Sequence, residues 1–344
     1  MHKKKAFITG ITGQDASYLA PLLLDKEYEV HVLLRQSGID LPIYVDDLIR
    51  SKKIIPHEGS LTNLASLHSI LQEVKPDEIY NLAAQSFVSE SFKNPVDTWD
   101  VNYYGVGRLV NEAVSANPHV RIYQASTSEM FGNSPAPQNE HTPFDPQSPY
   151  AASKALAHED FIVHKRKSQN IYAVSGILFN HESPRRGRHF VTRKITFTLA
   201  KIAAGLEECL ELGNLNAVRD WGHAEDYVQA MYLMLQQDVP DDYVIASGVS
   251  HSVRDFVTIA ALYFDIEIVW EGSGESEVGR NKKTGNVVVK VNPEFYRPQE
   301  VNFIQGDPTK AYTQLGWKPR HTFESLVTEM VTADQLLVAR EYKL

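Results

Sequence analysis

A single cysteine, Cys209, occurs in 344 residues, so no internal disulfide can form and the chain suits a reducing compartment. There is no CxxC pair and no Cys/His grouping, and the 13 histidines are scattered, so no metal motif is visible and none is expected. No apolar run approaches the roughly 18 residues of a membrane-spanning helix. The opening MHKKKAFITG has a basic flank, but its apolar stretch is too short for a secretory h-region. Internal repeats are absent. Charge of one sign is only mildly in excess, at −9, which argues against coating nucleic acid or an anionic membrane. What is there is ordinary: 43% hydrophobic and 22% charged, the balance of a globular protein, expected to be cytoplasmic. The length favours two lobes.

Short β-branched runs alternate with helical patterns through the first half. KAFIT (5–9), EVHVLL (29–34), KIIP (53–56), EIYNLA (78–83), VRIYQAS (120–126) and YAVSGIL (172–178) read as strands. Stretches such as SLHSILQEV and VGRLVNEAVSAN carry apolar residues at helical spacing. Nearly all-apolar strands fit a parallel sheet covered on both faces. The fold class is therefore α/β, a doubly wound parallel sheet of Rossmann type, with a smaller α+β substrate-binding lobe. The first domain is expected over 1–180, with segments near 222–247 and 307–320 returning to it, and 181–344 mainly forms the second. Beyond 180 come a basic polar loop, NHESPRRGRHF, and shorter strands (DYVIAS, IEIVW, NVVVKV). EGSGESEVGRNKKTGN (271–286) reads as a surface loop. The second lobe is expected at the carboxyl edge of the sheet, where ligands bind in such folds.

The first strand runs into TGITGQDASYL. Gly10, Gly13 and Ala16 give GxxGxxA between a strand and an amphipathic helix. Gly10 permits a tight turn, Gly13 lets backbone approach a pyrophosphate at the helix N-terminus, and Ala16 allows close helix–strand packing. Arg35 follows the second strand, where an acidic residue would select NAD and arginine suits the 2′-phosphate of NADP; an ordinary surface arginine is the competing reading.

SPYAASK puts Tyr150 and Lys154 four residues apart, on one helix face. A phenol is a poor base near neutrality unless a cation stabilises the phenolate, which Lys154 can do. In QASTSEMFG, Glu129 stands two residues behind Thr127. A carboxylate there could take a proton and return one to a leaving hydroxyl. Ser126-x-x-Glu129 is equally the pattern of a helix capping box.

With GITGQD, NLAAQS, STSE, YAASK, ILFNHESPRRG, FVTRKI, LGNLNAVRDWG, RPQEV, GDPTKA and LGWKP, the chain resembles, over nearly its whole length, the GDP-mannose 4,6-dehydratase family of extended short-chain dehydrogenase/reductases. The resemblance implies a hydro-lyase holding NADP tightly and regenerating it in each turnover. It also implies a GDP-sugar substrate and a homotetramer or homodimer, with no nucleic acid or membrane partner. Tyr150 would take the proton of the sugar 4-hydroxyl, Thr127 would hydrogen-bond that oxygen, and Lys154 would tune Tyr150 and hold the nicotinamide ribose. Glu129 would remove the C5 proton as the 6-hydroxyl departs. Cofactor contacts would come from Gly10, Ile11, Thr12, Gly13, Gln14, Asp15, Arg35, Ser60, Leu61, Leu82, Ala83, Ala84, Gln85, Ser86, Tyr150, Lys154, His181 and Arg186. Substrate contacts would come from Ser86, Ser128, Asn180, Lys194, Asn214, Arg219, Arg297 and Glu300.

The chain departs from the family pattern at Ser60-Leu61 (usually Asp-Leu), Arg35-Gln36 (commonly Arg-Arg), the loop SGIDLPIYVDDL and Phe87 (often His). Three other readings stay open on sequence. They are a dehydratase of another GDP-sugar such as a manno-heptose, a GDP-4-keto-6-deoxymannose reductase or sugar-nucleotide 4-epimerase, and a nucleotide-sensing regulator on the same fold. Glu129 argues against the reductase and epimerase, and an intact catalytic set argues against the regulator.

Overall fold

The computed structural model describes residues 3–35, 41–296 and 301–343. Its strands are β1 (Lys5–Thr9), β2 (Glu29–Leu34), β3 (Ile54–Glu58), β4 (Glu78–Asn81), β5 (Arg121–Thr127), β6 (Tyr172–Leu178), β7 (Asn180–Glu182), β8 (Leu210–Leu212), β9 (Val218–His223), β10 (Tyr243–Ile245), β11 (Ser250–Ser252), β12 (Ile268–Glu271), β13 (Val278–Asn281) and β14 (Val287–Val291). The chain divides into two compact units. One comprises Met1–Phe179, Ala224–Ile245 and Gly306–Lys318, and the other Asn180–His223, Ala246–Gln305 and Pro319–Leu344.

The first unit is built on a seven-stranded sheet in the order β10-β6-β5-β4-β1-β2-β3. Every neighbouring pair is parallel. The chain reverses direction across the sheet between β1 and β4, the switch point at which doubly wound folds open a crevice. Successive residues of β1, β4 and β5 enter opposite cores. Ala6 and Ile8 join Tyr80 and Tyr123 under the helices Gln14–Asp25 and Ala224–Met234. Phe7, Ile79 and Ile122 join Leu67, Leu109 and Val110 on the other face. Both faces are buried, which is why these strands carry so little polar alternation. Trp317 closes the first core, its indole N–H donating to the Asp226 carbonyl at 2.8 Å.

The second unit holds two small sheets, β11-β9-β7 and β12-β13-β14-β8. The helices Val191–Ala203, Val253–Leu262 and Phe323–Tyr342 enclose a core around Trp221, Phe256 and Phe323. Arg193 is buried against Asp334 at 2.6 Å, and Thr196 donates to the same carboxylate at 2.5 Å, fixing the first of these helices to the last. Two expectations are corrected here. Residues 180–182, read as loop, form β7 beside β9. The segment 271–286, also read as loop, contains β13 between β12 and β14.

Candidate active site

β1 ends at Thr9, and the chain turns at Gly10 with φ +74°. A Cβ on Gly10 would stand 2.8 Å from the Ala83 nitrogen, so only glycine lets the loop press against the segment leaving β4. The Gly13 N–H donates to the Gly10 carbonyl at 2.9 Å. Gly13 then serves as N-cap of the helix Gln14–Asp25 without a side-chain cap, so the positive end of the helix faces this turn. Ala16 is buried beneath the turn, and so is Ile11. Thr12 is exposed, its carbonyl accepting from the Tyr44 hydroxyl at 3.3 Å, and the Gln14 amide donates to Asp15 at 3.2 Å.

A chain of polar side chains ties the carboxyl ends of three strands together. The Thr9 hydroxyl donates to Asn81 Oδ1 at 2.6 Å and accepts from the Ala83 N–H at 3.1 Å. Asn81 donates to Gln124 Oε1 at 2.7 Å, and Gln124 to the Ala125 carbonyl at 2.8 Å. Leu82, Ala83 and Ala84 are half-buried along this edge and Ser86 is exposed. Asn102 clamps Gln85 through both backbone groups at 2.9 and 3.0 Å. The Gln85 side-chain oxygen is buried with no protein partner, which fits a ligand group at that point. Arg35 is exposed just after β2; Leu61 is buried, and the Ser60 hydroxyl bonds that of Thr62 at 2.9 Å.

Thr127 closes β5, and Ser128–Met130 form a single 3₁₀ turn. The Thr127 hydroxyl accepts from the Glu129 N–H at 3.2 Å and so caps that turn. Ser126 turns the other way, donating to Ser175 on β6 at 3.2 Å, so the capping box does not form. Met130 and Phe131 are fully buried and anchor the turn, whereas Glu129 is half-buried and Ser128 buried. Gly132 adopts φ +52°, and the Asp145 N–H donates to the Met130 carbonyl at 3.0 Å. A Cβ on Gly132 would lie 1.7 Å from the Asp145 oxygen, so this position requires glycine.

The helix Pro149–Ala157 begins with Ser148 accepting from the Ala151 N–H at 3.1 Å and with Pro149 in the first turn. It packs against the end of β5 and the 128–130 turn. Tyr150 and Lys154 are both buried on that side. Lys154 Nζ donates to the Ala125 carbonyl at 2.8 Å. Burial lowers the Lys154 pKa to about 8. One turn further on, His158 Nδ1 lies 2.9 Å from the Ser175 hydroxyl, a second tie between helix and sheet. The turn bearing Thr127 and Glu129 and the helix bearing Tyr150 and Lys154 thus pack against each other.

The remaining residues lie in the second unit. Asn180 and His181 are on β7, and the Asn180 side-chain oxygen is buried without a protein partner. Arg186 Nε is 3.1 Å from Glu182, with its guanidinium 3.5 Å from the Phe190 ring centre. Lys194 Nζ lies 3.5 Å over the Phe295 ring; burial pushes its pKa down, against the pull of Glu211. Arg219, on β9, is buried and donates to the Val218 carbonyl at 2.9 Å. Asn214 donates to Asn302 at 3.3 Å and accepts from the Asn216 N–H at 2.9 Å. Arg297 and Glu300 lie outside the described residues.

Sequence reasoning missed Ala125, whose carbonyl carries no side-chain signal, and Asn102, which lies in a π-helical turn (Asp100–Tyr104) that no sequence pattern marks. It also missed Gly132, although the Gly after STSEMF was visible as a turn signal.

A family model described as GDP-mannose 4,6 dehydratase matches residues 7–330. The GDP-mannose 4,6 dehydratase of Homo sapiens is 52% identical over 338 residues, covering 96% of this chain and 91% of that protein. The GDP-mannose 4,6-dehydratase of Vibrio cholerae is 48% identical over 361 residues, covering 99% and 96%. Among solved structures, a dTDP-glucose 4,6-dehydratase from Streptomyces venezuelae, with NAD and TYD bound, aligns at TM-score 0.81 and 21% identity, covering 98% of each chain. RMD from Pseudomonas aeruginosa, complexed with NADPH, aligns at TM-score 0.78 and 21% identity, covering 98% of this chain and 100% of that one. At these identities the two structures bear on the fold alone.

Proposed function

This chain belongs to the GDP-mannose 4,6-dehydratase family, and on that premise we propose that it converts GDP-mannose to GDP-4-keto-6-deoxymannose and water. The observation that carries this reading is the meeting of two segments at the end of β5. One is the turn bearing Thr127 and Glu129, and the other is the helix bearing Tyr150 and Lys154.

We assign a resident NADP to the first unit. The uncapped helix start after Gly13, the Gly10–Ala83 approach and the unpartnered Gln85 oxygen support a dinucleotide there, and exposed Arg35 supports a 2′-phosphate. When bound, that cofactor supplies an acceptor for the hydride leaving sugar C4 and a donor of the same hydride to C6. Ser60, Leu61, the 82–86 segment, His181 and Arg186 complete its assigned contacts.

Tyr150 takes the proton of the sugar 4-hydroxyl, helped by the cationic Lys154 on the same helix face. Thr127 orients that oxygen. The resulting 4-ketone makes the neighbouring C5 proton acidic. Glu129 removes it and passes a proton to the departing 6-hydroxyl, which leaves as water. An epimerase or plain dehydrogenase need not ionise the C–H beside the ketone, whereas elimination must, so this carboxylate is what makes the site a dehydratase.

On the substrate side we assign Lys194 and Arg219 to the diphosphate, Asn180 and Ser128 with Ser86 to the sugar and phosphate, Asn214 to guanine, Arg297 to phosphate and Glu300 to ribose. The buried, unpartnered Asn180 oxygen supports its role. We assign the chain to the cytoplasm, consistent with one cysteine and with no membrane-length apolar helix among the described residues. A homotetramer or homodimer is supported by exposed Val96, Tyr104 and Leu156 on mutually packed segments.

Incubation with GDP-mannose, followed by mass and NMR analysis, tests the reading. Loss of one water with a 4-keto signal supports it. Inertness towards GDP-mannose with turnover of a GDP-heptose would redirect the substrate, and stoichiometric NADPH release would exclude a dehydratase.

A further inference from the structure

We propose that His223, His321 and Glu329, all in the second unit, form a binding site for one divalent transition-metal cation of the zinc type. His223 is the last residue of β9 and is buried. His321 directly precedes Thr322, the N-cap of the helix Phe323–Tyr342, and Glu329 lies within that helix. One ligand atom from each residue lies within 4.8 Å of the others. His223 Nε2 and Glu329 Oε2 are 3.1 Å apart. Donors about 2.0–2.2 Å from a shared tetrahedral ion stand roughly 3.3–3.6 Å from one another. The His–Glu pair is therefore already close to chelating separation, and the His321 donor lies within 4.8 Å of both.

The two imidazoles are stacked, with centroids 4.0 Å apart and 18° between their planes. An imidazole coordinates along its ring plane, so metal binding requires one ring to turn out of the stack. We assign that turn to His321, which is half-buried where His223 is enclosed.

The backbone that carries the three donors is held from several sides. Thr322 and Ser325 cap each other, with contacts of 2.9 and 3.2 Å, which fixes the turn just after His321. Phe323 is stacked on His251 at 3.8 Å and on Trp221 at 5.9 Å. β9 is held between β11 and β7. Two imidazoles and one carboxylate suit zinc, cobalt or nickel better than calcium or magnesium, which favour all-oxygen shells. The Glu329 side chain is 45% exposed, which leaves an entry path and a solvent-facing position for a water as fourth ligand. None of the three residues belongs to the proposed catalytic or substrate-binding set. The ion would act as a clip between the end of a strand and the start of a long helix, stabilising the unit by mass action.

The test uses tag-free protein that retains its own cofactor, treated with a chelator and then titrated with zinc chloride by calorimetry. His321→Ala and Glu329→Gln are measured alongside, each against its own zinc-free unfolding curve, because both side chains contact His223. The expected result is one zinc per chain, a zinc-dependent rise in Tm, and loss of both effects in each variant. Cobalt in place of zinc should give the visible absorption of a tetrahedral ion. A wild type without a saturable site, or a site that survives both substitutions, would overturn the proposal.

Discussion

Lys154 Nζ donates a hydrogen bond to the main-chain carbonyl of Ala125 at 2.8 Å, so the helix carrying Tyr150 is pinned to the strand that leads into the turn carrying Glu129. That ammonium is enclosed by protein, and burial lowers its pKa to about 8. Since the proposed chemistry needs Lys154 charged, kcat/KM should fall on the alkaline side with an apparent pKa near 8. Stability should move the opposite way. Between about 8 and the ordinary value of 10.5 the unfolded chain holds the extra proton, so raising pH through that window favours folding. A pH–rate profile together with urea unfolding at each pH checks both limbs. Activity that stays flat to pH 10 would count against a cationic role for Lys154.

Glu129→Gln should keep the fold and the bound cofactor, because Thr127, Met130 and Phe131 hold the turn and the substitution is nearly isosteric. It should slow water loss by about 10²–10⁴-fold, the usual contribution of a positioned acid–base group. Product analysis after incubation with GDP-mannose reads this directly. Dehydration within a factor of a few of the wild type would remove Glu129 from the mechanism.

Much of this was legible in the sequence. The strands β1, β2, β5 and β6 could be read because residues on both of their faces are buried, which leaves an apolar run of the right length. Tyr150 and Lys154 announced themselves by helical spacing after Pro149. β13 did not, because Gly279 reads as a turn residue. In the structure that glycine makes room for Ile268 and Trp270 from β12, its missing Cβ standing 2.8 Å from the Ile268 methyl. The competing capping-box reading of Ser126 fails for a similar reason: its partner, Ser175, sits on the next strand, 49 positions away. His223, His321 and Glu329 are joined only by the tertiary fold, so no spacing could reveal them.

Gly10→Ala should yield a folded protein that loses its cofactor on purification. The added methyl meets backbone at 2.8 Å, at a φ of +74° that alanine disfavours, so the loop must move away from the segment at Ala83. Absorbance of the purified variant and its retention of added NADP measure the loss. Undiminished cofactor content would show that the loop does not hold the dinucleotide.

Gly132→Ala should be more damaging to stability than to binding. Its Cβ would overlap the Asp145 carbonyl at 1.7 Å and its backbone sits at φ +52°, so the turn carrying Glu129 cannot keep its path. A cost of at least about 2 kcal/mol is expected, in the range for backbone strain added to a steric clash. Urea unfolding gives the number, and a change below about 0.5 kcal/mol, the size of an ordinary surface substitution, would be incompatible with this geometry.

The central claim is that one molecule of substrate is oxidised at C4, dehydrated across C5 and C6, and reduced at C6 within a single turnover. GDP-mannose carrying deuterium at C4 tests it most directly. The account predicts a 4-keto-6-deoxy product with that deuterium at C6 and one solvent-derived hydrogen at C5. Deuterium found instead in released cofactor, or lost to solvent with C6 still hydroxylated, would contradict it.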